Sequence, residues 1–202
     1  IKKRTLTFQA ARNYSRNQKV DFLPNNAYSI GVGAYVFDVA LELAFAVPVD
    51  EKSYSIYGES DALDLQVNAL GRTWGADAYY QKYKGFYADD PSIDYISGQP
   101  YPQRRDIETR NFGFTGFYIF NQSKFSFQSA FNFAERQLKS GGSFLVSGAI
   151  NSFKLNADSA VLAARYRNEY GEGSSFEDLR YVTLSIMPGY AYNVVYRYFF
   201  IN

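Results

Sequence analysis

Apolar and polar side chains alternate with a period of two along most of the chain, and the fullest instance is residues 125–134. Phenylalanines at 125, 127, 131 and 133 share one parity, while Ser126, Gln128, Ala130, Asn132 and Ala134 fill the other. Successive side chains of a strand point to opposite faces, so this stretch predicts a strand with one greasy and one polar or small face. In a water-soluble sheet the greasy face is core. In a transmembrane barrel it faces lipid, and the polar face lines the lumen.

The same reading predicts about ten strands and the start of another. The first covers roughly 3–14, with Leu6, Phe8 and Ala10 opposite Thr5, Thr7 and Gln9, and Leu23-Pro24-Asn25-Asn26 supplies a break. Tyr28, Ile30, Val32 and Ala34 mark the second. The third has the cleanest alternation, with Val39, Leu41, Leu43, Phe45 and Val47 against Ala40, Glu42, Ala44 and Ala46. A Glu facing a soluble core is costly, whereas a lumen-facing Glu is ordinary. Residues 49–62 read as a polar loop, and strands follow at about 63–72 and at the tyrosine-rich 76–87. After the irregular stretch 88–106, strands are predicted at about 107–120, 125–134, 144–154, 159–170 and 180–192, with Tyr198-Phe199-Phe200-Ile201 opening another.

This assignment puts the short connections 36–38, 71–75, 121–124, 155–158 and 193–197 at one end and the longer 49–62, 88–106, 138–143 and 171–179 at the other. Outer-membrane barrels have that asymmetry, and a soluble sandwich gives no reason for it. The expected fold is therefore all-β: a single antiparallel up-and-down transmembrane β-barrel over 1–202. About ten of its strands are present, and about twelve are expected in the complete protein, since such barrels close with an even number. The opening at Ile1 without Met leads to the further expectation of a processed or missing N-terminus.

Composition sharpens this picture. Aromatics make up 19% of the chain, with 19 Tyr and 18 Phe, yet mean hydropathy is −0.31. Many aromatics without high hydropathy suit strands with one lipid face and one polar face, and Tyr at strand ends suits an interfacial aromatic girdle. No run approaches the ~18 apolar residues of a membrane helix. The net charge of +1 gives no field that would draw nucleic acid. Without Cys or His there are no disulfides, thiolate or imidazole metal sites, or Ser-His and Cys-His nucleophile pairs.

Several stretches resemble a Bacteroidota outer-membrane family known as domain of unknown function 4421. They are Leu23-Pro24-Asn25-Asn26, Ile30-Gly31-Val32-Gly33, 79–87, Arg105-Asp106-Ile107, Tyr118-Ile119-Phe120-Asn121, Lys124-Phe125-Ser126-Phe127, 135–143 and Pro188-Gly189-Tyr190-Ala191-Tyr192-Asn193. The 135–143 stretch is the most specific, with Leu138 and Gly142 departing from the expected Lys and Ala. The resemblance implies an outer-membrane barrel and carries no catalytic residues.

Candidate chemistry is sparse. Asp89, Asp90 and Asp94 offer oxygen ligands for calcium without an EF-hand register, and a solvated loop explains them as well. Glu135, Arg136 and Lys139 suit either lipopolysaccharide phosphates or snorkelling into headgroups. Glu42, Asp64, Arg72, Asp77, Arg136, Arg165 and Arg167 are the lumen-lining candidates, setting pore selectivity or plugging the interior with salt bridges. Leu41, Leu43, Phe45, Phe125, Phe127, Phe131, Phe133, Leu184 and Ile186 are the lipid-facing candidates. The expected role is a non-enzymatic structural or accessory barrel without cofactor. Its partners are outer-membrane lipid, lipopolysaccharide and other envelope subunits. A passive small-solute channel and a soluble ligand-binding β-barrel stand as alternatives.

Overall fold

The structure, a computed structural model, describes residues 6–9, 19–25, 29–37, 39–90, 93, 95–96, 98–131, 135–164, 175–196 and 199–201. Two short strands, β1 (Leu6–Gln9) and β2 (Lys19–Leu23), form a hairpin. The framework is an antiparallel meander of β3 (Ser29–Val36), β4 (Val39–Ala46), β5 (Asp61–Leu70), β6 (Trp74–Asp89), β7 (Gln103–Ile119), β8 (Gly141–Asn156), β9 (Asp178–Tyr196) and β10 (Phe199–Ile201). Each strand pairs with the next in sequence. Where β5 ends opposite Lys84, β2 takes its place and pairs Asp21, Phe22 and Leu23 with Asp89, Ala88 and Tyr87. Among the described residues the sheet does not close: β3 pairs only with β4, and β10 only with β9.

Two ends can be told apart. The β3–β4, β5–β6, β7–β8 and β9–β10 connections leave from the turn end, and the β4–β5, β6–β7 and β8–β9 connections from the loop end. A buried apolar cluster occupies the loop end: Val20 and Phe22 of β2, Tyr83, Phe86 and Ala88 of β6, Ile107, Leu155, and Val161 and Leu162 of the β8–β9 connection. The β1–β2 hairpin is fixed to the meander through this cluster. At Gly85 the β6–β7 register shifts, and φ of 80° there favours glycine. A Cβ at Gly85 would also collide with the Glu59 carbonyl. Gly113 has a different reason to be bare, because the Tyr79 ring lies across it.

Three expectations are corrected. The predicted strand at 125–134 is absent from its described part, 125–131: Phe127–Phe131 is a short helix, α2, and β7 pairs directly with β8. The predicted strand at 159–170 is absent from its described part, 159–164, because β8 pairs directly with β9 along its whole length. The supposed loop 49–62 contains a helix, α1 (Glu51–Tyr57). Asp50 caps it by accepting from the Ser53 N–H at 3.2 Å, and Gly58 ends it at φ 80°.

Leu155 is fully buried in the loop-end cluster. Leu155→Ala is expected to lower unfolding free energy by about 2–5 kcal/mol, measured by urea titration followed by circular dichroism. A loss under about 0.5 kcal/mol would mean that the cluster does not hold the hairpin to the sheet.

Candidate functional site

Cross-strand partners share a face, so the register of neighbouring strands assembles rows that run across the sheet. One such row reads Ala34, Leu41, Val67, Ala78, Phe114, Ile150 and Leu184 from β3 to β9. The rows on either side on the same face contain Val32, Leu43, Leu65, Tyr80, Phe112 and Val182, and Val36, Val39, Ala69, Ala76 and Ile186. This outer face has no charged side chain over three rows and stands open, with Leu184 74% and Ile186 80% exposed. Toward the turn end it continues into Trp74 and Tyr118, then Phe144 edge-on to Tyr190 at 5.0 Å. Toward the loop end it stops at Lys82, Arg110, Lys154 and Arg180, four cations in register on four adjacent strands.

The opposite, inner face is polar in its middle. Glu42, Gln66, Tyr79, Asn151 and Thr183 fall in one inner row, with Asp64, Gln81 and Asn111 in the next. Gln81 donates to Asp64 at 2.8 Å, and Asn151 donates to the Tyr79 hydroxyl at 2.7 Å. The apolar cluster covers the loop end of this face through Tyr83 and Leu155.

The described residues of the β7–β8 connection cover its turn end. Phe125 is 1% exposed and packs edge-on to Phe127, whose ring lies 4.8 Å from the inner Phe117. The rest of the attachment is polar. Asn193 of β9, fully buried, donates through Nδ2 to the Ser126 carbonyl, to Ser129 Oγ and to Gln137 Oε1, the last at 2.6 Å. Gln128 donates to the Leu70 carbonyl of β5 at 2.7 Å. Glu135 accepts from Arg72 Nε at 2.6 Å and from Ser126 Oγ at 2.7 Å. The segment is thus tied to β5, to the β5–β6 turn and to β9, across the mouth of the sheet.

Beyond the cationic row, at the loop end, Arg104 grips Asp106 through Nε and an Nη, both at 2.8 Å, and donates to the carbonyls of Ser159, Ala160 and Val161. The β8–β9 connection is clamped to β7 this way. The Arg104 guanidinium holds the Asp106 carboxyl below the usual carboxylate range, against a smaller opposing effect of burial. Tyr57, Tyr87, Tyr95 and Tyr101 stack nearby, and burial, with Tyr57 and Asp89 adjacent, pushes the Tyr87 hydroxyl up to about 12. Asn25 latches this region by donating to the Ser53 and Gly58 carbonyls and accepting from Ser53 Oγ.

The predicted site residues divide accordingly. Leu41, Leu43, Phe45, Leu184 and Ile186 lie on the apolar outer face, and Glu42, Asp64 and Asp77 lie on the inner one. Phe125 and Phe127 do not join the outer face. They pack inside with the turn-end segment, because that segment is not a strand. Phe131 ends α2, and Phe133 lies outside the described residues. Arg72 sits in the β5–β6 turn paired to Glu135, and Arg136 is exposed in the connection, so neither lines the sheet. Arg165, Arg167 and Asp94 lie outside the described residues. Among the described residues no group of three acidic side chains is placed to hold a metal ion. Asn193, Gln137 and Gln128 were missed by sequence reasoning, since isolated amides in alternating stretches look like ordinary polar-face positions.

Two outcomes follow from these contacts. Asn193→Ala removes the three hydrogen bonds of one buried amide, with an expected cost of about 1–3 kcal/mol and faster hydrogen exchange over 126–137 than elsewhere. Unchanged exchange there would disconnect Asn193 from the segment. The Asp106 clamp has a folded pKa below its unfolded value, so its stabilisation is full above the unfolded pKa and is lost as pH falls through the folded one. Pepsin cleavage within 157–164 is expected to rise through that acid window toward the level of Asp106→Asn, which lacks the clamp at every pH; identical cleavage of the two proteins throughout would refute it.

No curated protein and no solved structure matches the chain. The model of one family, described as a domain of unknown function (DUF4421), matches residues 2–202. By that match, over nearly its full length, the chain belongs to the DUF4421 family.

Proposed function

We propose that this protein is an integral outer-membrane β-barrel with a non-enzymatic structural or accessory role, closed to solute flow. The observation that carries the reading is the outer face: an open, uncharged apolar surface crossing every strand from β3 to β9. A water-soluble sheet of this kind would expose a contiguous apolar patch far larger than a soluble monomer tolerates. Its dimensions fit lipid. From Arg180 to Tyr190 the strand extends roughly 33 Å, and a tilt of about 40° projects this to about 25 Å, the height of an outer-membrane apolar band. Trp74, Tyr118, Phe144 and Tyr190 then stand at the turn-end interface, where amphipathic rings are favoured.

Lipid contact imposes closure, because unpaired backbone is costly in hydrocarbon. In this reading the free edges of β3 and of β9 and β10 are paired, within one barrel or against a neighbouring subunit. The inner face favours a closed interior over a conducting one. The turn-end segment and the loop-end apolar cluster cover it from both sides.

Trp74 is the only tryptophan in the chain and is half exposed on the outer face, so it reports the environment of that face without mutation. In vesicles containing brominated phosphatidylcholine its fluorescence is expected to be quenched, more strongly by bromines near the headgroup than near the chain end. Ready solubility without detergent, with quenching by aqueous iodide but not by brominated lipid, would sink the membrane reading. Planar bilayers are expected to show no steady single-channel current, and a steady current would instead favour the small-solute channel.

A further inference from the structure

We propose that Lys82, Arg110, Lys154 and Arg180 form a binding row for the phosphate groups of anionic membrane lipid in the leaflet at the loop end. The inference rests on the barrel reading above and adds a ligand class, a position and an orientation to it.

The register makes the row. Lys82 is opposite Arg110, Arg110 opposite Lys154, and Lys154 opposite Arg180, so β6 to β9 each contribute one cation to a single line on the apolar face. Like charges directly opposite one another on a sheet destabilise it. Four in succession therefore call for counter-anions. The protein supplies one: Glu108, in the next row outward, accepts from Lys82 Nζ at 3.2 Å and from Arg110 Nε at 2.6 Å. Among the described residues no carboxylate lies within ion-pair distance of Lys154 or Arg180, and both are exposed. The β8–β9 half of the row is thus left to an external anion.

Position names that anion. One row inward the same face is Tyr80, Phe112, Ser152 and Val182, the beginning of the apolar band. One row outward it is Lys84, Glu108, Asn156 and Asp178. The cations stand on the line between hydrocarbon and water, which is the depth of lipid phosphates. Arginine forks match phosphate oxygens in pairs, and lysine adds a compact charge. With strands about 4.8 Å apart, the row spans about 14 Å, enough for one or two headgroups. On β3 to β5 the same row is Ile30, Phe45 and Leu63, so the site belongs to one side of the molecule. The turn end of the face has aromatics in place of cations, so the two leaflets meet different chemistry. Simple snorkelling would bring the same side chains to any headgroup without preference. Lipid preference is what separates the two.

The test uses the full chain in nonionic detergent with equimolar phosphatidylglycerol and phosphatidylcholine, the retained lipid being counted by native mass spectrometry. The wild type is expected to retain phosphatidylglycerol preferentially. Lys154→Gln with Arg180→Gln is expected to lower that preference roughly tenfold, while Lys124→Gln at the turn end leaves it unchanged. Should the first pair not fold, Lys82→Gln with Arg110→Gln reads the same row. Equal retention of both lipids by the wild type, an equal loss in the turn-end variant, or displacement of phosphatidylglycerol by millimolar inorganic phosphate would each overturn the proposal. Binding of an acidic protein to the row with no lipid preference would overturn it in favour of a protein partner. If Trp74 is quenched by brominated lipid while no anionic preference appears, the phosphate row falls and the barrel reading stands.

Discussion

Strand register is the constraint on which the rest of this structure depends. A side chain's face is decided by parity alone, so a slip of one residue anywhere between β4 and β9 would move Leu41, Phe114, Ile150 or Leu184 from the outer face into the polar interior. It would send Glu42, Gln81 or Asn151 outward at the same time. In the proposed membrane reading both moves are costly, one placing polar and charged groups against lipid and the other placing apolar side chains among polar ones. The side-chain pattern therefore locks the hydrogen-bond ladder. The register irregularity at Gly85 lies past the cationic row, where the sheet passes into the loop-end cluster.

That logic explains how much could be read without coordinates. The strands β3 to β5 were legible because apolar residues keep one parity over most of their paired length, and Leu41, Leu43 and Phe45 share a face for that reason. Leu184 and Ile186 do the same on β9, while Tyr79 beside Tyr80 and Phe117 beside Tyr118 break the alternation of β6 and β7. The cationic row was not legible. Lys82, Arg110, Lys154 and Arg180 are far apart in sequence, and only the pairing of four strands aligns them. Helix α1 was missed although its cap residues, Asp50 and Gly58, are in plain view, because a polar stretch between strands reads first as loop.

The phenylalanine stretch failed for a more specific reason. Phe127 and Phe131 are spaced by four, which suits one face of a helix as well as one face of a strand. Ser126 breaks the tie: its Oγ accepts from the Ser129 N–H at 3.1 Å, the local bond that opens a helical turn. Removing this strand and the one supposed at 159–170 reverses β8 alone, since the second deletion restores the direction lost by the first. The predicted contrast between short and long connections survives for those before β7. Around β8 it does not, since the predicted short turn 155–158 gives way to the long connection 157–177 and the predicted 138–143 loop belongs to the turn end.

The two covers of the inner face are built from different chemistry, and each suits what it touches. At the loop end Val20, Phe22, Val161 and Leu162 bring apolar surface of their own to meet Ile107 and Leu155, so burial drives the contact. At the turn end the sheet offers Asn193, the Leu70 carbonyl and Arg72, and the segment answers with Gln137, Gln128 and Glu135. Residues that marked the family resemblance meet there, since Glu135 and Gln137 come from one matched stretch and Asn193 from another. Each such hydrogen bond contributes a net of only about 1 kcal/mol, so the segment is held by the number of these bonds. A cover held in this way stays in place as a set, which is the behaviour the proposed closed barrel would require of it.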